Sequence, residues 1–209
     1  MARSKPIFTG DPTTRKNILD SARTEVDQYG IIGLRLSSVA EKAQVSIPLI
    51  YKYFEDRDGL LAVVLGDWYE EFTNKFRDKI DSWLDAADSV TLDEFAHFTQ
   101  KPRAGSMQKD RDFRLKVLAT SLENPQLRLR IKNITNDLYI WGESAINRLI
   151  PKLPNEDRNF DRRIFTLLMF NIMYVFHDML DQEPVSDSEH SDFLVQLIRA
   201  SSKANSVTS

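Results

Sequence analysis

The 209-residue chain contains no cysteine, which removes disulfides, thiolate metal sites and cysteine nucleophiles together. That usage fits a reducing compartment. Histidine is scarce as well, at three copies: His97, His177 and His190. There is no His-Glu-x-x-His pair, no glycine-rich phosphate loop and no Cys/His spacing, so the usual signatures of metal and phosphate chemistry are missing. His177 and Asp178 are neighbours that point about 100° apart on a helix, which does not make a dyad. An enzyme is therefore not expected, and no cofactor or metal is implied. Glycine and proline are few, at seven and eight, which leaves room for long helices. No period-2 alternation and no internal repeat stand out. Long apolar runs are missing too. The longest, IFTLLMFNIMYVF, is about 13 residues and carries Asn171, too short and too interrupted to span a bilayer. The opening MARSKPIFTGDP is basic but has no apolar h-region, so it does not read as a secretory signal. The expectation is a soluble, cytoplasmic protein without a membrane partner.

Hydrophobic residues at 42% and charged residues at 28% are ordinary globular values. The net charge of −3 is unevenly spread. Residues 1–54 hold eight Lys/Arg against five Asp/Glu, and the rest hold 20 against 26. The positive end coincides with the most informative stretch, Ser37 to Phe54, SSVAEKAQVSIPLIYKYF.

Punctuation predicts an all-α chain of about nine helices. Asp11 is placed to cap the first, Pro12 suits its first position, and Ile18, Ala22 and Val26 repeat at helical spacing before Gly30 ends the run. Two short helices follow near 36–43 and 47–53, and a long one begins near Asp56 with Leu61, Leu65, Trp68, Phe72, Phe76 and Ile80 along one side. Further segments are predicted near 90–100, 106–123, 125–150, 159–182 and 188–202, with breakers around Pro102, Pro151 and Pro184.

Within 37–54, Val39, Ala40, Val45 and Ile50 form the inward set, and Ala40 is small enough for two helices to cross closely. Ser46 is placed to cap the second short helix, and Pro48 is tolerated in its first turn. That helix then turns Ile47, Pro48, Leu49, Tyr51, Lys52 and Tyr53 outward. Tyrosine and lysine donate to phosphates, while Leu and Ile meet thymine methyls in a major groove. From periodicity alone, a DNA-reading face and an apolar patch packed on other helices both remain open.

The stretch GLRLSSVAEKAQVSIPLIYKYFEDRDGLL resembles the N-terminal signature of the TetR family of bacterial transcriptional regulators. Val39-Ala40 stand for the family's Ile-Ala, and Ala43-Gln44-Val45-Ser46 for its Ala-Gly-Val-Ser turn. Tyr51-Lys52-Tyr53-Phe54 match the aromatic group, and Arg57-Asp58-Gly59-Leu60-Leu61 match the Lys-led opening of helix 4. Three positions depart. Gln44 replaces Gly, which costs about 1–2 kcal/mol if the position is left-handed. Arg35 and Leu36 stand where Thr or Ser often caps helix 2, leaving that cap weaker or shifted to Ser37. Arg57 replaces Lys, keeping the charge and adding a bidentate donor.

The resemblance implies an N-terminal helix-turn-helix domain over residues 1–55, and a larger ligand-binding and dimerisation domain over 56–209 joined through helix 4. It implies a DNA-binding regulator, by default a repressor, on a palindromic double-stranded operator. Arg35 and Ser37 would lie near phosphate or a base, Ser46, Ile47, Pro48, Leu49 and Lys52 in the major groove, Tyr51 and Tyr53 on the backbone, and Arg57 on a phosphate. Arg3 and Lys5 would add arm contacts, and Arg15 and Lys16 would face phosphate or solvent. Homodimerisation through 160–182 and 190–201, and release by a small-molecule effector, are implied in the same way. The candidates for effector contact are Trp68, Phe72, Phe98, Phe113, Leu118, Trp141, Phe170, Asn171, Tyr174 and His177, with Tyr139 beside them; each taken alone reads more readily as core than as a ligand contact. Asn171 and His177 are the pointed pair, being polar groups in an apolar helix. The competing readings are a helical protein-interaction module and a transcriptional activator of the same fold.

Overall fold

The computed structural model describes residues 10–99, 106–159, 189 and 192–200, and contains no strand among them. The helices are α1 (Pro12–Gly33), α2 (Leu36–Lys42), α3 (Ile47–Phe54), α4 (Arg57–Ala86), α5 (Leu92–Thr99), α6 (Ser106–Glu123), α7 (Pro125–Leu149) and α8 over 192–200. Two short 3₁₀ turns, Ile150–Lys152 and Asn155–Asp157, follow α7. The helix predicted near 159–182 lies outside the described residues.

Local chemistry accounts for most helix ends. Asp11 caps α1, its carboxylate accepting from the Thr14 amide at 2.8 Å and the Thr14 hydroxyl at 2.8 Å. Gly30 breaks α1 as expected, with φ 75°, yet the helical turns resume and run to Gly33. The kink is possible because glycine has no Cβ to oppose a left-handed φ. Helix α2 starts at Leu36 with Arg35 at the N-cap and no side-chain cap bond, so its cap is weak and not moved to Ser37. Ser46 occupies the N-cap of α3 but its side chain makes no capping bond, contrary to the expectation; only its carbonyl serves the helix, accepting from Leu49 at 3.0 Å and Ile50 at 3.3 Å.

Before α5, Thr91 and Glu94 form a reciprocal capping box. The Thr91 amide and hydroxyl donate to the Glu94 carboxylate at 2.8 and 2.9 Å, and the Glu94 amide donates to the Thr91 hydroxyl at 3.1 Å. The Thr91 amide, then its hydroxyl, hold Glu94 below the usual carboxylate range; for Asp11 the Thr14 hydroxyl is the leading cause and the amide follows. Both native pKa values are depressed, so the stabilisation is present above the unfolded carboxylate range and is lost as pH falls through the native values. Thermal melts should therefore show the midpoint dropping below about pH 4. Thr91→Ala keeps the amide bond and removes only the hydroxyl's part, so it should reduce the Glu94 share of that drop without abolishing it and should lower the melting midpoint at neutral pH.

By packing, the chain divides into two compact units. The first joins the described residues up to Phe72 with Leu115–Ile134, and the second joins Thr73–Arg114 with the described residues from Thr135 onward. Helices α4, α6 and α7 each contribute residues to both. In the first unit Ile18, Ala22, Val39, Ile50, Leu60, Leu65, Val117 and Leu127 are fully or nearly fully buried. In the second, Ile80, Leu84, Val90, Leu92, Phe95, Leu138, Ile146, Leu149 and Leu153 form one apolar cluster that Val195 and Ile198 of α8 complete.

Candidate nucleic-acid interface

The turn between α2 and α3 is a Schellman-type ending built on Gln44. The Gln44 amide donates to the Glu41 carbonyl at 3.1 Å and the Val45 amide to the Ala40 carbonyl at 2.9 Å, with Gln44 at φ 55°. The left-handed conformation weighed for this position is thus the one adopted, with a non-glycine residue in it. Gln44→Gly should raise the stability of the chain by about 1 kcal/mol, read as a shift in the denaturant midpoint.

Helix α3 has a sharply divided surface. Ile50 is 0% and Phe54 4% exposed, whereas Pro48, Tyr51 and Lys52 are exposed. At 100° per residue, Pro48, Leu49, Tyr51 and Lys52 lie away from the Ile50–Phe54 stripe, while Ile47 and Tyr53 flank it and are half-buried. Arg35, Ser37 and Ser46 are exposed at the starts of α2 and α3. The two tyrosines differ. The Tyr53 hydroxyl donates to the Asp11 carbonyl at 3.1 Å, tying α3 to the start of α1, where Arg15 also lies 5.4 Å from the Phe54 ring centre. Tyr51, 45% exposed, is the one left facing solvent.

Arg57 is held by backbone carbonyls. Its guanidinium donates to the carbonyls of Leu34 at 3.3 Å, Ile31 at 3.0 Å and Ile32 at 3.2 Å, closing the C-terminal end of α1 after the Gly30 kink. A cation there also suits the negative end of the helix dipole. Between α3 and α4, Glu55 takes φ 66° and ψ −54° while the Asp56 amide donates to the Phe54 carbonyl at 2.8 Å, a positive-φ γ-turn. Asp56 then caps α4 through the Gly59 amide at 2.7 Å. Helix α3 is therefore joined to α4 by a corner of two residues.

A buried charge pair supports this module from inside. Glu25 on α1 is 2% exposed and accepts from Lys42 Nζ of α2 at 2.7 Å. Periodicity did not single it out, because a Glu in an amphipathic helix ordinarily reads as surface.

The proposed effector residues are scattered among packing roles. Trp68 and Phe72 stack at 5.6 Å in the first unit, where Leu118 is half-buried. In the second unit Phe98 stacks on Trp83 at 4.6 Å, with Lys79 Nζ 4.7 Å from the Phe98 ring centre, and Phe113 is half-buried. Trp141 is 8% exposed, packs edge-on against Phe76, and donates its indole N–H to both Asp81 oxygens at 3.1 Å. Arg148 binds the same Asp81 at 2.5 Å and Asp85 at 2.5 Å, and these contacts raise its pKa, led by the Asp81 hydrogen bond. Trp141 therefore belongs to a structural network of the core. Tyr139 is 45% exposed. Phe170, Asn171, Tyr174 and His177, like Arg3 and Lys5, lie outside the described residues.

Residues 18–64, from α1 into α4, match the family described as bacterial regulatory proteins, tetR family. The chain is 29% identical over 143 residues to the HTH-type transcriptional regulator BetI of Paraburkholderia xenovorans (strain LB400), covering 66% of this chain and 70% of that protein. With BetI of Paraburkholderia phytofirmans the identity is 37% over 51 residues, 24% of this chain and 26% of the relative. The fold is similar to that of the multidrug binding protein EbrR complexed with imidazole, at TM-score 0.58 and 21% identity over 90% of this chain and 96% of the other. It is also similar to the transcriptional regulator FadR from Bacillus subtilis in complex with stearoyl-CoA, at TM-score 0.50 and 16% identity over 90% and 98%. At these identities the two structures speak to fold alone.

Proposed function

We propose that the chain, whose residues 18–64 match the tetR family and which is 29% identical to BetI over 143 residues, is a DNA-binding transcriptional regulator of that family that represses transcription as a homodimer on a palindromic operator and leaves it when a small molecule binds. The observation that carries this reading is the divided surface of α3, with Ile50 and Phe54 buried and Pro48, Tyr51 and Lys52 exposed. A helix that only packed would fill its outer side with Glu and Lys; an outer side of Tyr, Lys, Pro and Leu suits a major groove. Residues 1–55 then read DNA, with Ser46, Ile47, Pro48, Leu49 and Lys52 in the groove and Arg35, Ser37, Tyr51 and Tyr53 along its edge. Arg57 contributes to phosphate binding mainly by ordering the C-terminal end of α1 within the head, given its three carbonyl partners.

Residues from 56 onward carry the sensor and the dimer contacts, the latter through the segments 160–182 and 190–201. Two heads must sit about 34–36 Å apart to meet successive major grooves, so a dimer is the functional unit. An effector acts by favouring a dimer whose heads no longer match that spacing. Proteins of this fold are seen with imidazole, proflavin and stearoyl-CoA, ligands of unlike chemistry, so a thermal-shift screen across metabolites and drugs is the route to the effector here. A regulator of bacterial promoters works in the cytoplasm.

A gel shift with DNA from around its own gene tests the proposal. Site-selective binding that weakens steeply with salt and has dimer stoichiometry supports it; no binding at any ionic strength rules it out. A promoter fusion that rises when the gene is deleted supports repression, and one that falls identifies an activator.

A further inference from the structure

Helix α4 carries a stripe of three acceptors, Val63, Asp67 and Glu70, spaced i, i+4 and i+7 along one face. A single side chain meets all three. Arg130 of α7 donates to the Val63 carbonyl at 3.0 Å, to the Asp67 carboxylate, and to Glu70 at 3.0 Å. The guanidinium can do this because Gly66 leaves the space: a Cβ there would lie 2.3 Å from Arg130 Cδ and 2.7 Å from its Nε. Six residues earlier Asn124, 3% exposed, makes a second attachment. Its Oδ1 caps α7 by accepting from the Leu127 amide at 2.9 Å, and its Nδ2 donates to the Asp58 carbonyl in the first turn of α4 at 2.8 Å. In the same stretch, Glu71 accepts from Arg23 of α1 at 2.7 Å.

We propose that Arg130, seated over Gly66 and assisted by Asn124, is the positioning residue that holds the first half of α4 where α3 can engage DNA, so that the α6–α7 corner works as part of the DNA-binding head. The proposal rests on the DNA-binding function of the family, and neither residue is among the DNA contacts. The physical grounds are three. The segment Leu115–Ile134 packs as one unit with the residues up to Phe72. The two-residue corner at Glu55–Asp56 makes the placement of α3 follow that of α4. Finally, a planar guanidinium gripping three acceptors is directional in a way a lysine is not.

The test uses the full chain and fluorescence anisotropy with a duplex from around its own gene, at several salt concentrations. Arg130→Ala should weaken binding about tenfold with an unchanged salt slope, since no phosphate contact is lost. Arg130→Lys, keeping the charge without the fork, should recover only part of the affinity. Gly66→Ala alone should mimic Arg130→Ala by displacing the guanidinium. In the Arg130→Ala background the same glycine change should cause no further loss and should raise the melting temperature, because Ala replaces Gly in an unobstructed helix. Wild-type affinity in Arg130→Ala, a flatter salt slope, or losses that add in the double variant would each overturn the proposal. If Arg130→Ala does not fold, wild-type affinity in Arg130→Lys overturns it equally. Failure of the wild-type protein to bind at any salt would instead strike the DNA-binding reading itself.

Discussion

Lys42→Met should lower the stability of the chain by about 3 kcal/mol, the largest loss expected from one surface-reaching side chain. The Glu25 carboxylate is 2% exposed, and Lys42 Nζ at 2.7 Å is the cation that balances it. Removing the lysine leaves a carboxylate in the interior of α1 and α2 with no counter-charge, where water cannot solvate it. The figure belongs at the lower end of the range for broken buried pairs because the Lys42 side chain is itself 36% exposed. Lys42 also lies 3.3 Å from the Gln28 side-chain oxygen and 5.9 Å from the Tyr29 ring centre, secondary contacts that go with it. Chemical denaturation measures the loss. Adding Glu25→Gln to Lys42→Met should return most of it, since the uncompensated charge is then gone. A double variant no more stable than Lys42→Met alone would mean the pair is not what holds α1 to α2.

Tyr51→Ala should have the opposite signature. Its side chain is 45% exposed on the outer side of α3 and fills no core, so the melting curve should barely move. On the proposed reading, in which Tyr51 of each protomer donates to a phosphate, operator binding should fall about a hundredfold or more, because a hydrogen bond to a charged phosphate is worth about 1.5–3 kcal/mol and two are lost. Tyr53→Ala is the informative control. Tyr53 is half-buried and its hydroxyl holds the Asp11 carbonyl, so that change should cost stability along with affinity. Equal melting losses in both variants would place Tyr51 in the packing and remove it from the reading face. Lys42→Met is expected to reduce DNA binding only in step with its loss of folded protein, which separates support of the head from contact with DNA.

How far the order of residues alone leads can be followed along α1 to α4. The Asp11 cap, the break at Gly30, the inward Val39, Ala40 and Ile50, and the left-handed turn at Gln44 all follow from neighbours within one or two helical turns. Such features depend on backbone sterics and on nearby donors, and they are visible in a local window. Ser46 marks the edge of that power: it has the right residue type at the right place, yet its hydroxyl does not cap. Asn124 caps α7 through a neighbour three residues away, but its second bond, to Asp58, joins it to a residue 66 positions earlier.

What the chain's local order determined, then, is an all-α protein with a helix-turn-helix near its start and an α3 whose two sides differ in chemistry. Only tertiary structure decided which polar groups meet. Lys42 reaches Glu25 across 17 positions, Arg57 reaches Ile31 across 26, Trp141 reaches Asp81 across 60, and Arg130 reaches Val63 across 67. Charged and hydrogen-bonding side chains have many equivalent partners in a sequence, and burial by the surrounding helices selects one. For that reason Arg57 ends α1, and Trp141 serves Asp81 in a core. It is also why a glycine in the middle of α4 has meaning only once the arginine lying over it is seen.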